Sequence, residues 1–273
     1  MKKWFAVIGD PIEHSKSPFM HNTWFQEMGI DAAYIPIHVK RENLREAVAA
    51  LKLLGASGWN VTIPHKEEII QFLDELDPMA EKMGAVNTVV RQEDGTLKGY
   101  NTDGAGFVHA LEEAVGKHKE NKVLIIGAGG AGRGIAFALK EYGYKQVDIA
   151  NRTVSKAESI IQELGSGTAL SLEEAEKQLS QYGIVIQATS LGLSTGESGL
   201  PISLDGLQKE VIAADIVYNP LMTPFLLEAE KRGAKIVTGL GMFVHQGAIA
   251  FKHWLGQYPD TEEMMKRLME QLK

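Results

Sequence analysis

Short apolar runs alternate along the chain with longer stretches in which apolar positions recur at helical spacing. In the first hundred residues Trp4 to Ile8, Ala33 to Val39, Gly58 to Ile63 and Ala85 to Val90 read as strands. Between them Ser17 to Met28, Arg41 to Leu54 and His65 to Leu73 read as helices. Asp94-Gly95, set between two strand-like runs, is a hairpin signal and predicts an antiparallel edge on an otherwise mainly parallel sheet. A helix opening near Asp103 or Gly104, with Phe107, Val108, Leu111 and Val115 on one side, bridges to the polar stretch Gly116 to Asn121. Strands then follow at Val123 to Ile126, Val147 to Ala150, Ile184 to Ala188, Val211 to Val217 and Lys235 to Val237, and the chain finishes in helices Met242 to Leu255 and Thr261 to Leu272. Such alternation predicts two α/β domains. Residues 1–103 with 240–273 would form one, with a mixed, mainly parallel sheet, and 104–239 the other, leaving a cleft in which a small molecule could meet a cofactor.

One glycine-rich run has a context that gives it meaning. Gly127-Ala128-Gly129-Gly130-Ala131-Gly132 follows the strand Val123 to Ile126 and precedes a helical pattern carried by Ile135, Phe137, Ala138, Leu139 and Tyr142. Strand, glycines and helix in that order are the fingerprint of a Rossmann-like dinucleotide-binding unit, in which backbone N–H groups at a helix N-terminus receive a pyrophosphate. Where an NAD-binding chain offers an Asp or Glu to the ribose 2′-hydroxyl, this one ends its second strand on Asn151, Arg152 and Thr153, followed by Lys156. A 2′-phosphate would meet a guanidinium, a hydroxyl and an ammonium there, so the expected cofactor is NADP(H). The plainer alternative is a solvated loop arginine.

Composition narrows the chemistry. With 273 residues, 44% of them hydrophobic and 23% charged, the chain has room for two cores. A net charge of -7 argues against a nucleic-acid partner, whose phosphates need a basic surface. Zero cysteines exclude disulfides, thiolate nucleophiles and cysteine metal sites. The apolar stretch after Lys2-Lys3 breaks at Gly9-Asp10-Pro11, too soon for a signal peptide, and no run approaches a membrane span, so a cytoplasmic enzyme acting on a small molecule is expected. The eight histidines show no metal-site spacing and no serine hydrolase elbow occurs, so no metal is assigned.

Four polar clusters stand at strand ends or helix starts. They are Ser15-Lys16-Ser17-Pro18, Asn60-Val61-Thr62-Ile63-Pro64-His65-Lys66, Asn101-Thr102-Asp103-Gly104 and Gly241-Met242-Phe243-Val244-His245-Gln246. On a strand, Asn60 and Thr62 share one face while Val61 and Ile63 take the other. Pro64 then ends the strand and places Lys66 at a helix start, where the dipole opposes its charge, a placement better suited to catalysis than to stability. Asp103 serves equally well as the cap of its helix, Ser15 or Ser17 as an ordinary helix start before proline, and Gln246 as a surface residue. By elimination Lys66 and Asp103 lead as proton-transfer groups.

Taken together, these clusters with Asn87-Thr88, the run Gly127 to Gly132, Asn151-Arg152-Thr153 and Tyr218-Asn219-Pro220 resemble the shikimate dehydrogenase family, in the same order and over nearly the whole chain. The resemblance implies NADPH-dependent reduction of 3-dehydroshikimate to shikimate in aromatic amino-acid (chorismate) biosynthesis. It implies that Ser15, Ser17 and Tyr218 hold the substrate carboxylate and that Asn60, Thr62, Asn87, Asp103 and Gln246 bind ring hydroxyls. Lys66 would be the acid/base residue with Asp103 as partner, and Thr189, Ser190, Gly239 and Met242 would line the nicotinamide side. Two departures stand out: Lys156 where relatives commonly have arginine, and Gln187 where asparagine is frequent. A quinate/shikimate dehydrogenase with relaxed cofactor use, a nucleotide-sensing module without turnover and, more distantly, a folate dehydrogenase/cyclohydrolase are the alternatives, and the expected assembly is a monomer or homodimer.

Overall fold

The computed structural model describes residues 2–193 and 199–271. The chain divides into two compact units, residues 1–102 with 247–268, and residues 103–246 with 269–273. Among the described residues no helix is long and apolar enough to cross a membrane.

The first unit runs β1 (Lys3–Gly9), α1 (Ser17–Glu27), β2 (Ala32–His38), a short 3-10 turn, α2 (Leu44–Leu53), β3 (Gly58–Val61), a second 3-10 segment (Glu68–Phe72), β4 (Glu75–Leu76), α3 (Pro78–Met83), β5 (Thr88–Arg91) and β6 (Leu97–Tyr100). Its sheet has the order β2-β1-β3-β5-β6-β4. β1 is an interior strand between β2 and β3, and its run Phe5-Ala6-Val7-Ile8 is buried on both faces, which is why it reads as continuous apolar sequence rather than alternation. Ala6 and Ile8 join Val48, Leu51, Trp59 and Val61 in one core. On the other face Phe5 stacks on Trp254 with ring centroids 4.8 Å apart.

Several expected elements are revised. The hairpin does form, with Asp94 Oδ1 accepting from Thr96 N at 2.9 Å and Gly95 at φ 85°. It is not an edge, however: β5 pairs antiparallel with both β3 and β6, and the two-residue β4 lies outside β6. Strand β3 stops at Val61, because β1, its partner, ends at Gly9 and the chain turns with His65 N donating to Thr62 O at 2.9 Å. Ile63 therefore lies 71% exposed and does not share the core face with Val61. The helix expected over His65 to Leu73 is reduced to the 3-10 segment. His65 is buried with Nε2 donating to Val39 O at 2.7 Å, and Asp74 is drawn into the sheet, where its N–H donates to Leu97 O at 2.9 Å. β5 begins at Thr88 instead of Ala85, since Val86 N is spent on Lys66 O at 2.7 Å.

The second unit carries α4 (Asp103–Val115), β7 (Val123–Ile126), α5 (Gly130–Glu141), β8 (Val147–Ala150), α6 (Val154–Leu164), β9 (Ala169–Leu170), α7 (Leu172–Gln178), β10 (Ile184–Gln187), β11 (Ile212–Asp215), α8 (Pro224–Lys231) and β12 (Lys235–Val237). Its strands are all parallel and stand in the order β9-β8-β7-β10-β11-β12. Counted within the unit this is 3-2-1-4-5-6, the doubly wound order of a mononucleotide-binding pair, with its reversal between β7 and β10. Ligands of such sheets bind outside the carboxyl ends of the strands at that reversal, which is where the glycine run leaves β7. α9 (Gly239–Leu255) passes from the second unit into the first, and α10 (Thr261–Gln271) ends the description, the expected terminus Leu272 lying outside the described residues. α9 starts three residues earlier than expected, at Gly239, which lies against the backbone of Ile216 and Val217, where a Cβ has no room.

Asp215 closes β11 as a buried carboxyl, accepting from Val217 N at 2.9 Å and from Thr223 Oγ1 at 2.6 Å. Burial pushes its pKa up to about 6 from an ordinary 3.8. Because the folded value exceeds the unfolded one, folding takes up a proton between about pH 4 and pH 6, so this carboxyl favours the fold most at low pH and loses that contribution as pH rises through the window. Asp215→Asn, neutral throughout, should therefore gain in Tm relative to the unchanged protein as pH rises from 4 to 7. The full span is on the order of 3 kcal/mol. Parallel Tm-against-pH curves would show that Asp215 does not titrate in this way.

Candidate functional site

In the first unit the sequence-predicted polar residues meet in a buried hydrogen-bond network. Pro18 stands in the first turn of α1, whose N-cap position is Lys16, and the Ser15 hydroxyl accepts from Ser17 N at 3.3 Å. Ser17 is buried, beside the Tyr34 phenol on β2. That phenol, itself buried and raised well above its ordinary pKa by burial, donates to Asn60 Oδ1 at 2.7 Å. Asn60 on β3 donates from Nδ2 to Asn87 O at 3.1 Å and to Thr88 Oγ1 at 3.0 Å. Asn87 Oδ1 accepts from Thr88 Oγ1 at 3.0 Å and from Thr102 N at 2.9 Å. Asn60 and Asn87 thus belong to one array running across β2, β3 and the start of β5, with Ser17 of α1 beside it. Thr62 is half-buried just beyond β3. Lys66 is half-buried in the turn before the 3-10 segment and not at a helix N-terminus, so the expected opposition from a helix dipole is lost. Its backbone is pinned by the bond from Val86 N.

Tyr34, Thr88 and Thr102 take part in this array, although sequence alone gives them no role. A tyrosine in a strand reads as core, and Thr88 and Thr102 read as neighbours of the residues that carry the pattern. Their signal is structural: polar side chains at 2%, 0% and 1% exposure, whose groups burial would penalise unless hydrogen-bonded.

In the second unit the glycine run behaves as its context predicts. Gly127 has φ 118°, and a Cβ there would lie 2.9 Å from Ala188 O and from Thr189 Cγ2, so this glycine is required by the fold. Gly132 is likewise closed by Gly127 O, which lets α5 pack on β7. Gly129 and Gly130, by contrast, face open space: a Cβ on either meets no protein atom within 4 Å. The fold does not need them bare, and the open backbone they leave at the start of α5 suits the approach of an anion to its N–H groups. Ala128 N donates to Asn151 Oδ1 at 3.2 Å, and Asn151 Nδ2 donates to Thr153 O at 2.9 Å, which ties the end of β8 to the loop. Ala131 stands in the first turn of α5.

Beyond Asn151, Arg152, Thr153 and Lys156 are exposed. Thr153 occupies the cap position of α6 without spending its hydroxyl on it. Neither Arg152 nor Lys156 is engaged by a carboxylate among the described residues, whereas Arg133 on α5 is forked onto Glu163 at 2.8 and 2.5 Å. The acid inside β8 is no ribose acceptor. Asp148 is 3% exposed and takes bonds from Thr168 N at 2.7 Å, Tyr182 OH at 2.8 Å and Lys122 Nζ at 2.9 Å. These residues fit a dinucleotide carrying a 2′-phosphate.

After β10 the buried Gln187 holds the next turn, accepting from Thr189 N at 2.6 Å and donating to Leu191 O at 2.9 Å, so Thr189 is set beside Gly127 and Ser190 follows it in the same turn. Tyr218 stacks on Phe243 of α9 with ring centroids 4.7 Å apart, and burial raises its pKa. Gln246, a turn later, donates to Phe243 O at 2.8 Å. It is held against α4, where a Cβ on Gly106 would fall 2.6 Å from Gln246 N. Met242 is half-buried in the same first turns of α9, after Gly239. Asp103 opens α4 as its first helical residue rather than standing ahead of it as a cap, in the turn where the dipole favours a carboxylate.

Three family models match successive parts of the chain. Residues 7–89 match the family model for the shikimate dehydrogenase substrate binding domain, 109–195 that for shikimate / quinate 5-dehydrogenase, and 239–269 that for the shikimate 5'-dehydrogenase C-terminal domain. A shikimate dehydrogenase (NADP(+)) of Lysinibacillus sphaericus is 65% identical over 273 residues, covering 100% of this chain and 99% of the relative. A crystal structure of a shikimate dehydrogenase in complex with NADP+ superposes with a TM-score of 0.92 at 40% identity, covering 100% of this chain and 96% of the other. The enzyme of Thermus thermophilus in complex with NADP(H) and shikimate gives 0.89 at 38% identity, over 98% of this chain and 99% of that one. With its buried amide network, its bare glycines and its acid-free strand end, and with likeness over its full length, the chain belongs to the shikimate dehydrogenase family.

Proposed function

We propose that this protein is an NADP-dependent shikimate dehydrogenase, interconverting 3-dehydroshikimate and shikimate in aromatic amino-acid (chorismate) biosynthesis. The observation that carries the reading is the end of β8, where Arg152 and Lys156 stand exposed and no carboxylate is offered to a ribose. Gly127 to Gly132 receive the pyrophosphate, Asn151, Arg152, Thr153 and Lys156 the 2′-phosphate side, and Thr189, Ser190, Gly239 and Met242 the nicotinamide side. A nicotinamide held there would supply or take up the hydride. Ser15, Ser17 and Tyr218 hold the substrate carboxylate, while Asn60, Thr62, Asn87, Asp103 and Gln246 bind ring hydroxyls.

Lys66 handles the proton. In reduction, negative charge grows on the carbonyl oxygen and Lys66 donates a hydrogen bond and then a proton to it; in oxidation it takes the proton from the hydroxyl. Asp103 acts as its partner. The protein works in the cytoplasm as a monomer or homodimer.

The test is shikimate oxidation followed by absorbance of the reduced nicotinamide, with NADP and NAD compared by kcat/KM. Binding of NADPH without oxidation of shikimate would overturn the reading. Equal use of both cofactors would overturn the role given to Arg152, and turnover of quinate as fast as shikimate would widen the substrate assignment.

A further inference from the structure

One buried hydroxyl in the first unit has no role in the chemistry above. Thr88, at the start of β5, is 0% exposed and lies between two side-chain amides: Asn60 Nδ2 donates to its Oγ1 at 3.0 Å, and its Oγ1 donates to Asn87 Oδ1 at 3.0 Å. The direction of these bonds is forced. Thr102 N–H, which can only donate, points at Asn87 Oδ1 at 2.9 Å and so fixes the oxygen end of that amide. A hydroxyl has one proton, and Thr88 gives it to Asn87; toward Asn60 it can only accept. Asn60 must then turn its NH2 end inward, where the other hydrogen meets Asn87 O at 3.1 Å, and its oxygen toward the Tyr34 phenol at 2.7 Å. Both amide hydrogens of Asn60 and one lone pair of its oxygen are thereby used. What remains for a ligand is a single acceptor.

We infer that Thr88 is a positioning residue whose hydroxyl locks the Asn60 and Asn87 amides into one orientation, so that Asn60 reads a donating hydroxyl on the substrate and refuses a carbonyl or ether oxygen in its place. This rests on the assignment of Asn60 and Asn87 to substrate binding. Thr88 acts only through these amides, being closed to solvent and ligand alike.

The test compares Thr88→Val, equal in shape but without the hydroxyl, with Thr88→Ser, which keeps it. In the valine variant KM for shikimate should rise about tenfold while kcat stays within about threefold and KM for NADP within about twofold. Across a panel of shikimate analogues each lacking one ring hydroxyl, the preference for the parent compound over one member should collapse in the valine variant, and serine should restore both properties. A variant that was merely less stable would lose active enzyme without changing either KM or discrimination. Should the valine variant fail to fold, Thr88→Ala, which leaves room for a water, serves in its place.

The side-chain amide NMR resonances of Asn60 and Asn87 in the ligand-free protein give a readout independent of turnover. Both should move in the valine variant and return in the serine variant. Unmoved resonances, or a KM within twofold of the parent with discrimination intact, would overturn the lock. If the unmodified protein oxidises no shikimate, the proposed function falls, and the amide resonances still decide the role of Thr88.

Discussion

Lys66→Ala is expected to lower kcat for shikimate oxidation by at least about 100-fold, the low end for loss of a general acid–base group, with little change in KM. The split follows from the role assigned to it. On the proposed assignment the carboxylate and ring hydroxyls are held by other residues, so ground-state binding should survive, while the proton loses its carrier at the moment charge develops on oxygen. Lys66→Arg separates charge from proton transfer. Arginine keeps the positive charge and the donors but stays protonated at any working pH. If Lys66 acted only as a fixed positive charge, arginine would restore much of kcat; as a proton carrier, it restores little. Val86 N anchors the turn through the Lys66 carbonyl, which is present whatever the side chain, so neither variant should disturb the fold. A kcat for Lys66→Ala close to that of the unmodified enzyme would remove Lys66 from the mechanism.

The parts of the molecule that can be read from sequence are those in which local pattern and tertiary role coincide. Val123 to Ile126 and Ile184 to Ile186 are buried on every residue and appear as unbroken apolar runs. The glycine run is legible because Gly127 and Gly132 are required by close backbone approach, while Gly129 and Gly130 meet no protein atom and complete the pattern expected of a dinucleotide-binding turn. Residues decided by partners distant in sequence are the ones that mislead. Extending a period of two past Val61 puts Ile63 in the core, beyond the point where the β3 ladder ends. A helix start at Lys66 is what the local pattern favours, but the burial of His65 under Val39 and the pull of Asp74 toward Leu97 do not allow it. β4 and β9, each two residues long, carry too few residues to show a period, and exist through their pairings with β6 and β8. The amide array is half visible. Asn60 and Asn87 stand out as polar residues in strand-like sequence, but the phenol of Tyr34 and the hydroxyl of Thr88 that orient Asn60 look like ordinary strand formers.

Removing the Arg152 guanidinium should discriminate between the two nicotinamide cofactors more than any other single change in the second unit. Arg152→Ser is expected to raise KM for NADP roughly 10- to 100-fold, the value of charge-assisted and bidentate bonds to a phosphate, and to leave KM for NAD nearly unchanged. The asymmetry arises because the residue has nothing else to do: it is exposed, bonded to no carboxylate among the described residues and outside any helix, so its loss alters neither fold nor pyrophosphate loop. Lys156→Ala should follow in the same sense with a smaller effect, about 3- to 10-fold, since an ammonium meets the phosphate as a point charge on a flexible stem. That smaller share should fade with added salt, because screening acts most strongly on exposed charges. Equal losses for NADP and NAD would mean that Arg152 shapes the loop instead of reading the phosphate. Arg152→Asp then gives the sharper contrast. It sets a carboxylate where an NAD-binding chain carries one, at the end of the second strand of the unit, so repulsion of the 2′-phosphate and acceptance of a 2′-hydroxyl both shift the cofactor ratio toward NAD. A ratio that moves further for aspartate than for serine requires the group at this position to face the ribose directly.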